Sequence, residues 1–292
     1  MSRLTDEIAS QPECWTKAIE AAASAGSSLP APGARVAVIG CGSSLNVARC
    51  YAILREAAGH GETDAFPASE IPPTRRYDHM VFISRTGTTT EVLDALAQAR
   101  PGIRTTAVSA DPGSPLARQA TAAVLLDFSA ERSVVSSRFI TSAIVLLRAH
   151  LGADLRTLPD AAARELARPL PPGLAERSEF TFLGRGWAAA VADEAALKLR
   201  EAARTWAESY PALEYRHGPI SVSDASTVVW ALGQVPPSLL TDARRTGAMV
   251  IAPAGDPLVG LIGAQRLAAT LAERKGLDPD QPRALSRSVI LA

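Results

Sequence analysis

The sequence predicts an α/β protein in which parallel sheets are flanked by helices. Short apolar segments alternate along the chain with longer segments of helical periodicity. Several of the apolar segments run directly into glycine-rich or hydroxyl-rich turns, which is where open α/β sheets expose ligand sites. The same order of elements occurs twice, and this repetition predicts two modules of similar architecture.

The composition indicates a globular protein without a strong overall charge. The chain has 292 residues, of which 47% are hydrophobic, enough to bury a large core. Lysine plus arginine and aspartate plus glutamate both number 30, so the charge does not indicate nucleic acid or an acidic membrane surface as a partner. The chain has no apolar run long enough to span a bilayer, and its polar start is not a secretory signal. We therefore expect a cytoplasmic protein.

Three cysteines, Cys14, Cys41 and Cys50, include no CxxC pair. They predict neither a disulfide framework nor a zinc site, and no metal is expected. Cys41 lies between glycines at the end of a strand, where a packing role is favoured over that of a nucleophile.

Residues 1–33 predict a helical arm, with a helix at 15–22, followed by a linker rich in Gly, Ser and Pro. A strand at 35–40 and a helix at 45–58 follow. The turn between them places Ser43 and Ser44 at a helix N-terminus, where backbone N–H groups and the dipole favour an anion. Serine is also a common N-cap, so this turn alone leaves both explanations open.

A second hydroxyl-rich turn covers residues 84–90, directly after a strand expected at 77–83. The helix after it is expected at 92–99, with Thr88 and Glu91 as its capping box. Hydroxyls crowd here around backbone donors at the carboxyl end of a strand, which is typical of a phosphate cradle. The alternative is a threonine-rich turn that only caps the helix.

The remaining strands of this module are expected at residues 65–71, 104–109 and 122–126, and its last helix at 140–150. We assign residues 34–155 to the first module and residues 156–292 to the second. The Pro-rich and Ala-rich residues 151–178 are expected to connect the two.

The second module is predicted to start with a strand at 180–183 and a helix at 187–209. In such a helix Glu194, Lys198 and Glu201 lie on one face. A solvated face with ion pairs is the simplest explanation for an isolated helix, but the strand and glycine turn before it favour a site. Further elements are expected as strands at 227–232 and 248–252 and helices at 239–245 and 258–275.

The segment from Asp193 to Pro219 resembles a known family. It reads E-A-A-L-K-L-R-E, then A-E, then E-Y-R-H-G-P. This is similar to the pattern E-x-A-L-K-L-K-E, A-E and E-x-x-H-G-P of the SIS (sugar isomerase) superfamily, in the isomerase half of glucosamine-6-phosphate synthase and its relatives. Arg200 replaces one lysine of that pattern. The resemblance extends over roughly residues 30–292.

This resemblance implies two flavodoxin-like SIS domains, each a parallel sheet flanked by helices, in a homodimer whose sites are shared between subunits. It implies that Glu201 moves a proton between C1 and C2 of a sugar, that Lys198 lies at the same site, and that His217 opens the sugar ring from the partner subunit. It implies no cofactor, and it includes neither nucleic acid nor membrane among the partners.

Residues 84–89 resemble the family's phosphate-binding pattern S-x-S-G-x-T, with Thr86 in place of the second serine. The match implies phosphate contacts from four residues, Ser84, Arg85, Thr86 and Thr89, and a sugar site lined by Ser43 and Ser44.

Two shorter matches complete the resemblance. The segment V-V-S-S-R resembles V-x-S-T-K, which places Ser136 against the sugar and Arg138 in the lysine's position. The tail resembles D-x-P-R-x-L-x-K-S-V, with Arg287 in the position of a catalytic lysine. Arginine cannot act as a base or form an imine near neutral pH, but it can hold an oxyanion or a phosphate by a bidentate contact.

These features predict an enzyme that acts on a phosphorylated sugar or amino sugar, by aldose–ketose isomerisation with or without C–N cleavage. The loop sequence S-R-T-G and the expected absence of a glutaminase domain favour a deaminase or deglycase over a synthase. The alternative is a non-catalytic sugar-phosphate sensor, which would not need Glu201, Lys198 and His217. A third possibility, kept open by the lysine-to-arginine replacements, is an isomerase-like subunit that works on a specialised metabolite.

Overall fold

The computed structural model describes residues 2–291, and it confirms the predicted α/β class. Helices alternate with parallel strands in two sheets. The chain forms two compact units. The N-terminal module comprises Ser10–Arg132, Ser136–Pro159 and the tail from Ser286, and the C-terminal module comprises the residues up to Ala9, Ser133–Val135 and Asp160–Leu285.

The α-helices are α1 (Arg3–Ala9), α2 (Gln11–Ala25), α3 (Ser43–Ala57), α4 (Thr90–Ala97), α5 (Pro115–Gln119), α6 (Arg138–His150), α7 (Leu158–Ala167), α8 (Trp187–Ala203), α9 (Pro237–Arg245) and α10 (Pro257–Arg274). The strands are β1 (Val36–Gly40), β2 (Thr63–Pro67), β3 (His79–Ile83), β4 (Arg104–Ser109), β5 (Ala122–Leu125), β6 (Glu179–Gly184), β7 (Trp206–Pro211), β8 (Thr227–Leu232) and β9 (Met249–Ile251). No helix between residues 2 and 291 is both long and apolar enough to cross a membrane.

The N-terminal module is built on a sheet with the strand order β2-β1-β3-β4-β5, in which every neighbouring pair is parallel. On one face, Ile39, Phe82 and Ala107 of the sheet pack with Val92 of α4 and Leu116 of α5. Because β1 and β3 are parallel neighbours, the turns that follow them lie at the same edge of the sheet. This edge therefore brings the two hydroxyl-rich turns together.

The C-terminal module contains a sheet with the strand order β7-β6-β8-β9, again with parallel pairs. Leu183 and Val229 pack against Leu239 of α9. The rings of Phe182 and Trp230 pack against each other, with centroids 5.8 Å apart. Strand β9 forms one edge of this sheet.

Both modules use the same strand-to-helix turn. β1 ends at Gly40 and β6 at Gly184, and the helix that follows each is preceded by a glycine with φ near +55°. A Cβ on Gly184 would lie 2.1 Å from the carbonyl oxygen of Ala188, and a Cβ on Gly40 would lie 2.6 Å from the carbonyl carbon of Ser44. Glycine is required because the helix backbone passes directly over the end of the strand.

The helix predicted over residues 187–209 is confirmed over 187–203 and wrong over 204–209. α8 ends at Ala203, and Arg204 adopts a left-handed conformation with φ 50° as its C-cap. Trp206–Pro211 is strand β7, paired in parallel with β6. Tertiary pairing with β6 and the aromatic residues of the segment outweigh its local helix propensity.

Other differences concern the ends of elements. The N-cap of α4 is Thr89 rather than Thr88, and it makes no side-chain capping bond, so the predicted capping box is not formed. The expected strand at 65–71 ends at Pro67 and passes into a 3₁₀ turn. Helices α1, α5 and α7 were not predicted, and α7 lies within the expected connection at 151–178.

We predict that Gly184→Ala lowers the free energy of unfolding by about 3 kcal/mol, because its Cβ would displace the first turn of α8. Gly26→Ala is the matched control: its backbone is helical and no atom lies within 4 Å of the added Cβ, so stability should change by no more than about 1 kcal/mol. Urea unfolding measures both, and equal stability of the two variants would contradict the packing described here.

Candidate active site

Three ionisable side chains of α8 form a compact cluster in the C-terminal module. The Nζ of Lys198 lies 3.1 Å from Oε1 of Glu194 and 2.6 Å from Oε2 of Glu201. The side chains of Lys198 and Glu194 are at most 2% exposed, whereas that of Glu201 is 20% exposed. The predicted shared face is thus confirmed, and it is a buried face rather than a solvated one.

Burial alone would lower the pKa of Lys198, but the Glu194 and Glu201 carboxylates outweigh it and raise the pKa above its usual value. The ammonium group is therefore retained at neutral pH, and it fixes the Glu201 carboxylate through a short charge-assisted hydrogen bond. Of the three groups Glu201 is the most accessible. It is the carboxylate that a bound ligand can reach.

His217 lies on a 3₁₀ turn, Ala212–His217, whose neighbours anchor it firmly. Tyr215 is fully buried and its hydroxyl is hydrogen-bonded to that of Ser223, while Arg216 pairs with Asp242 at 2.6 Å. His217 itself is exposed. Among residues 2–291, no hydrogen bond or ion pair joins its imidazole to the Lys198 cluster.

The turn after β3 in the N-terminal module is folded around its own hydroxyl groups. Ser84 is buried, and its Oγ accepts a hydrogen bond from the backbone N–H of Gly87 at 3.1 Å. The hydroxyls of Thr86 and Thr88 are 3.0 Å apart. A Cβ on Gly87 would lie 2.3 Å from Oγ of Ser114, so only glycine fits. The result is a compact hydroxyl-lined turn at the N-terminus of α4, the geometry that favours an anion.

The turn after β1 occupies the neighbouring position at the sheet edge. Ser43 and Ser44 form the first turn of α3, and both are partly exposed. The predicted serines of the two turns thus follow adjacent strands, β1 and β3, as expected from the order of elements.

Glu131 is the residue that organises this region, and the sequence analysis did not assign it a role. It is 2% exposed. Its carboxylate accepts hydrogen bonds from Arg85 at 3.0 Å, from the Ser136 hydroxyl at 2.7 Å and from the Ser137 backbone N–H at 2.6 Å. In the sequence, Glu131 is one carboxylate in a serine-rich segment, five residues before Ser136. This pattern is too common to indicate a buried residue with several hydrogen-bond partners.

Burial would by itself raise the pKa of Glu131, but Arg85 and the hydrogen bonds from Ser137 and Ser136 outweigh it and hold the pKa below its usual value. The ion pair with Arg85 is therefore maintained at neutral pH. It fixes the orientation of Arg85 and Ser136, two side chains that are predicted to bind the phosphate and the sugar.

The C-terminal tail is hydrogen-bonded to the same turn. Arg85 donates to the backbone carbonyl of Arg287 at 3.2 Å, and the guanidinium of Arg287 donates to the backbone carbonyl of Glu131. The Ser288 hydroxyl lies 3.0 Å from that of Thr88 and 3.3 Å from that of Thr89. The predicted residue Arg287 is thus brought beside the hydroxyl-rich turn, although it lies about 200 residues away in sequence.

A cleft of about 720 Å³ in the N-terminal module contains none of the predicted site residues. Two of its arginines are engaged locally: Arg75 pairs with Asp64 at 2.8 Å, and Arg100 donates to the carbonyl of Pro73 at 3.3 Å. Its size alone does not make it the active site. Within the described part of the chain, no cluster of three or more His, Cys, Asp or Glu side chains could hold a metal ion.

The fold and the candidate site together describe an α/β protein with two parallel sheets, a hydroxyl-lined turn at the N-terminus of α4 and a Glu–Lys–Glu cluster on α8. Residues 31–150 match the family model of the SIS domain. The matched residues include both hydroxyl-rich turns.

Two solved structures resemble this chain over nearly its whole length. The crystal structure of glucosamine-6-phosphate deaminase from Thermotoga maritima is 26% identical, with a TM-score of 0.84, and the match covers 99% of this chain and 100% of that one. Tagatose-6-phosphate ketose/aldose isomerase from Escherichia coli has the same fold, with a TM-score of 0.82 at 18% identity and coverage of 98% and 97%.

Among curated sequences, glutamine–fructose-6-phosphate aminotransferase (isomerizing) from Thermus thermophilus is 31% identical over 312 residues, which is 87% of this chain and 52% of the aminotransferase. The corresponding protein of Pyrobaculum aerophilum is 30% identical, over 73% of this chain and 43% of the relative. The chain thus spans about half the length of the curated relatives it matches.

We predict that Glu131→Gln lowers the free energy of unfolding by about 3 kcal/mol at neutral pH, because it leaves the buried Arg85 without its counter-ion. A carboxyl whose pKa is lowered by folding stabilises the protein above its unfolded pKa, near 4.5, and loses that contribution as the pH falls further. The difference between wild type and variant should therefore shrink below pH 4.5. Urea unfolding at a series of pH values measures it.

Glu176→Gln is the control for this prediction. Glu176 also pairs with an arginine, Arg274 at 2.9 Å, but both side chains are more than half exposed. Its removal should have no measurable effect at any pH. A wild-type-to-Glu131→Gln difference that is constant from pH 7 to pH 3 would mean that the charge of Glu131 does not stabilise the fold.

Proposed function

We propose that this chain is an enzyme that acts on a sugar or amino-sugar 6-phosphate, as an aldose–ketose isomerase or as a deaminase or deglycase. The observation that carries the proposal is the ion-paired and accessible Glu201 carboxylate. The names of the similar proteins, a glucosamine-6-phosphate deaminase and isomerizing aminotransferases, support a phosphosugar as substrate. We further propose that the C-terminal module is a second SIS domain, since it repeats the strand-to-helix turn of the first.

In this proposal Glu201 is the general base. It removes the proton on the carbon next to the carbonyl or imine and returns it to the neighbouring carbon, C1 or C2. The Lys198 ammonium, 2.6 Å from Glu201, holds the carboxylate in position and stabilises the negative charge of the enediolate or enolamine. A sensor would have no need for a buried lysine that holds an accessible carboxylate, because phosphate binding alone does not use a base.

We assign the phosphate group to the turn of Ser84, Thr86 and Thr89, with Ser43, Ser44 and Ser136 toward the sugar. Arg85 differs from these residues because its guanidinium is bound to Glu131 and to the Arg287 carbonyl. We therefore assign it to the orientation of the loop, with its charge acting on the phosphate at longer range.

The roles of His217 and Arg287 are proposed from the family resemblance and from the exposure of these two residues. His217 is proposed to open the sugar ring of the substrate bound to a partner subunit in a homodimer, and its place on an exposed turn suits this role. Arg287 replaces a lysine, and because a guanidinium group does not form an imine near neutral pH, it is proposed to bind an oxyanion. No cofactor is needed for this proton transfer.

A ligand panel tests the proposed function. Fructose 6-phosphate, glucosamine 6-phosphate, galactosamine 6-phosphate, their N-acetyl forms and fructosyl-amino-acid phosphates are screened by thermal shift, and each binder is assayed for isomer and ammonia. At about 100 times its Kd, a true ligand stabilises the protein by about 2.7 kcal/mol. Turnover of a binder supports the enzyme. Binding without any product would instead identify a sensor, and no binding would contradict the phosphate assignment.

We predict that Glu201→Gln lowers kcat by about a thousandfold, because the amide cannot accept the substrate proton. Thermal stabilisation by the substrate should persist, since the phosphate is bound by other residues. Glu273→Gln, at an exposed position of α10, is the control and should retain wild-type kcat. An active Glu201→Gln enzyme would exclude Glu201 as the base.

A further inference from the structure

The cleft of about 720 Å³ in the N-terminal module lies between two segments of the chain. One side comes from residues 68–78, in the connection between β2 and β3, and the other from residues 91–103, in α4 and the loop that follows it. None of the residues proposed for sugar-phosphate chemistry lines it. Its volume is within the range of small-molecule sites, so the lining determines what it can hold.

The cleft is open because the connection between β2 and β3 covers α4 incompletely. This connection passes through a 3₁₀ turn, Ala68–Glu70, and its apolar side chains Ile71 and Tyr77 are only partly buried. In the C-terminal module the connection between β7 and β8 contains Tyr215, which is fully buried and packs in one apolar cluster with Leu239 of α9. The N-terminal connection covers its helix less completely than this counterpart does, and the cleft is the result.

Each side of the cleft carries an exposed charge. Arg76 belongs to the β2–β3 connection and Asp94 to α4, and both line the cleft and are exposed. Among residues 2–291, neither side chain makes a hydrogen bond or an ion pair, with the other or with any third residue. Because both charged groups are open to solvent, a molecule in the cleft can reach them.

The other charged groups leave one acidic side and one available cation. The arginines Arg75 and Arg100 are held by the contacts described above. Glu91 precedes Asp94 by one turn of α4 and lines the cleft with it, so the α4 side carries two carboxylates. Across from them, Arg76 is the guanidinium group that is available to a ligand.

The lining also has an apolar part. Met80 of β3 and Ala95 of α4 belong to the buried core of the N-terminal module, and Ile71 and Ile103 pack against it. These side chains are therefore fixed by the core. An apolar group of a ligand gains free energy when it leaves water to contact them.

A ligand complementary to this lining carries a positive charge, a negative charge and an apolar group. An α-amino acid with an apolar side chain has all three. We propose that the cleft binds such an amino acid, with its ammonium group on Asp94 and its carboxylate on Arg76. Charge-assisted hydrogen bonds of this kind are stronger than neutral ones, and the carboxylates of α4 would repel a ligand that is only anionic. This site is additional to the proposed sugar-phosphate site and does not depend on it.

The test uses the full chain labelled with ¹³C at the methionine methyl groups, with L-leucine as the probe. The chain has three methionines. Met80 lines the cleft, and Met249 in the C-terminal module is an internal reference. Leucine should shift the Met80 signal saturably, with a Kd of about 1 mM, and should leave the Met249 signal unchanged. The Met80 signal is identified by its loss in Met80→Leu, and calorimetry measures the same Kd without any assignment.

Two matched compounds separate the two charges of the probe. Leucinamide keeps the ammonium group but has no carboxylate, and 4-methylpentanoate keeps the carboxylate but has no ammonium group. Each should bind about tenfold more weakly than leucine, because each loses one charge-assisted hydrogen bond. Equal binding of the three compounds would mean that the cleft recognises only an apolar group, and the absence of a saturable Met80 shift would mean that it binds no amino acid. Either result would overturn the proposal.

Two protein variants test which side chain binds which charge. Arg76→Gln should weaken leucine binding about tenfold and leave leucinamide binding nearly unchanged, and Asp94→Asn should weaken leucine binding about tenfold and leave 4-methylpentanoate binding nearly unchanged. Arg164→Gln, at an exposed position of α7 in the C-terminal module, is the control and should bind leucine as the wild type does. Leucine binding in the two cleft variants that equals that of the control would also overturn the proposal.

Discussion

The buried ammonium group of Lys198 is the constraint on which the C-terminal module depends. A buried charge is stable only when opposite charges and hydrogen bonds compensate it, and here Glu194 and Glu201 do so from one turn above and one turn below on α8. This arrangement holds the Glu201 carboxylate in one orientation, with its side chain 20% exposed. The contact that stabilises the module is thus the one that would prepare a base for proton transfer.

In the N-terminal module, too, a buried charge is compensated by an opposite charge and by hydrogen bonds. Glu131 is buried, and its charge is compensated by Arg85 and by backbone and hydroxyl donors. Because Arg85 belongs to the hydroxyl-rich turn and also binds the carbonyl of Arg287, one carboxylate fixes the turn and the tail together. Each module therefore contains a buried ion pair, with hydroxyl or carboxylate groups presented beside it. Preorganisation of this kind reduces the cost of ordering the site when a ligand binds.

The sequence predicted what local chemistry determines. Alternating apolar and helical segments indicated the α/β class, and the four-residue and three-residue spacings placed Glu194, Lys198 and Glu201 on one face, as the structure confirms. It missed what long-range packing determines. β7 forms because β6 provides a parallel partner. Glu131 makes its hydrogen bonds with Arg85 and with Arg287 of the tail only when folding brings these residues to it. The roles of the site residues remain predictions from the resemblance.

Hydrogen exchange at the substrate carbon tests the central claim, that Glu201 transfers a proton on a sugar phosphate. The chain is incubated in D₂O with glucosamine 6-phosphate or fructose 6-phosphate, and the C1 and C2 protons are followed by NMR. The account predicts deuterium at one of these carbons, at a rate that collapses in Glu201→Gln and persists in Glu273→Gln. A sugar phosphate that binds the protein but exchanges no carbon-bound proton would contradict it.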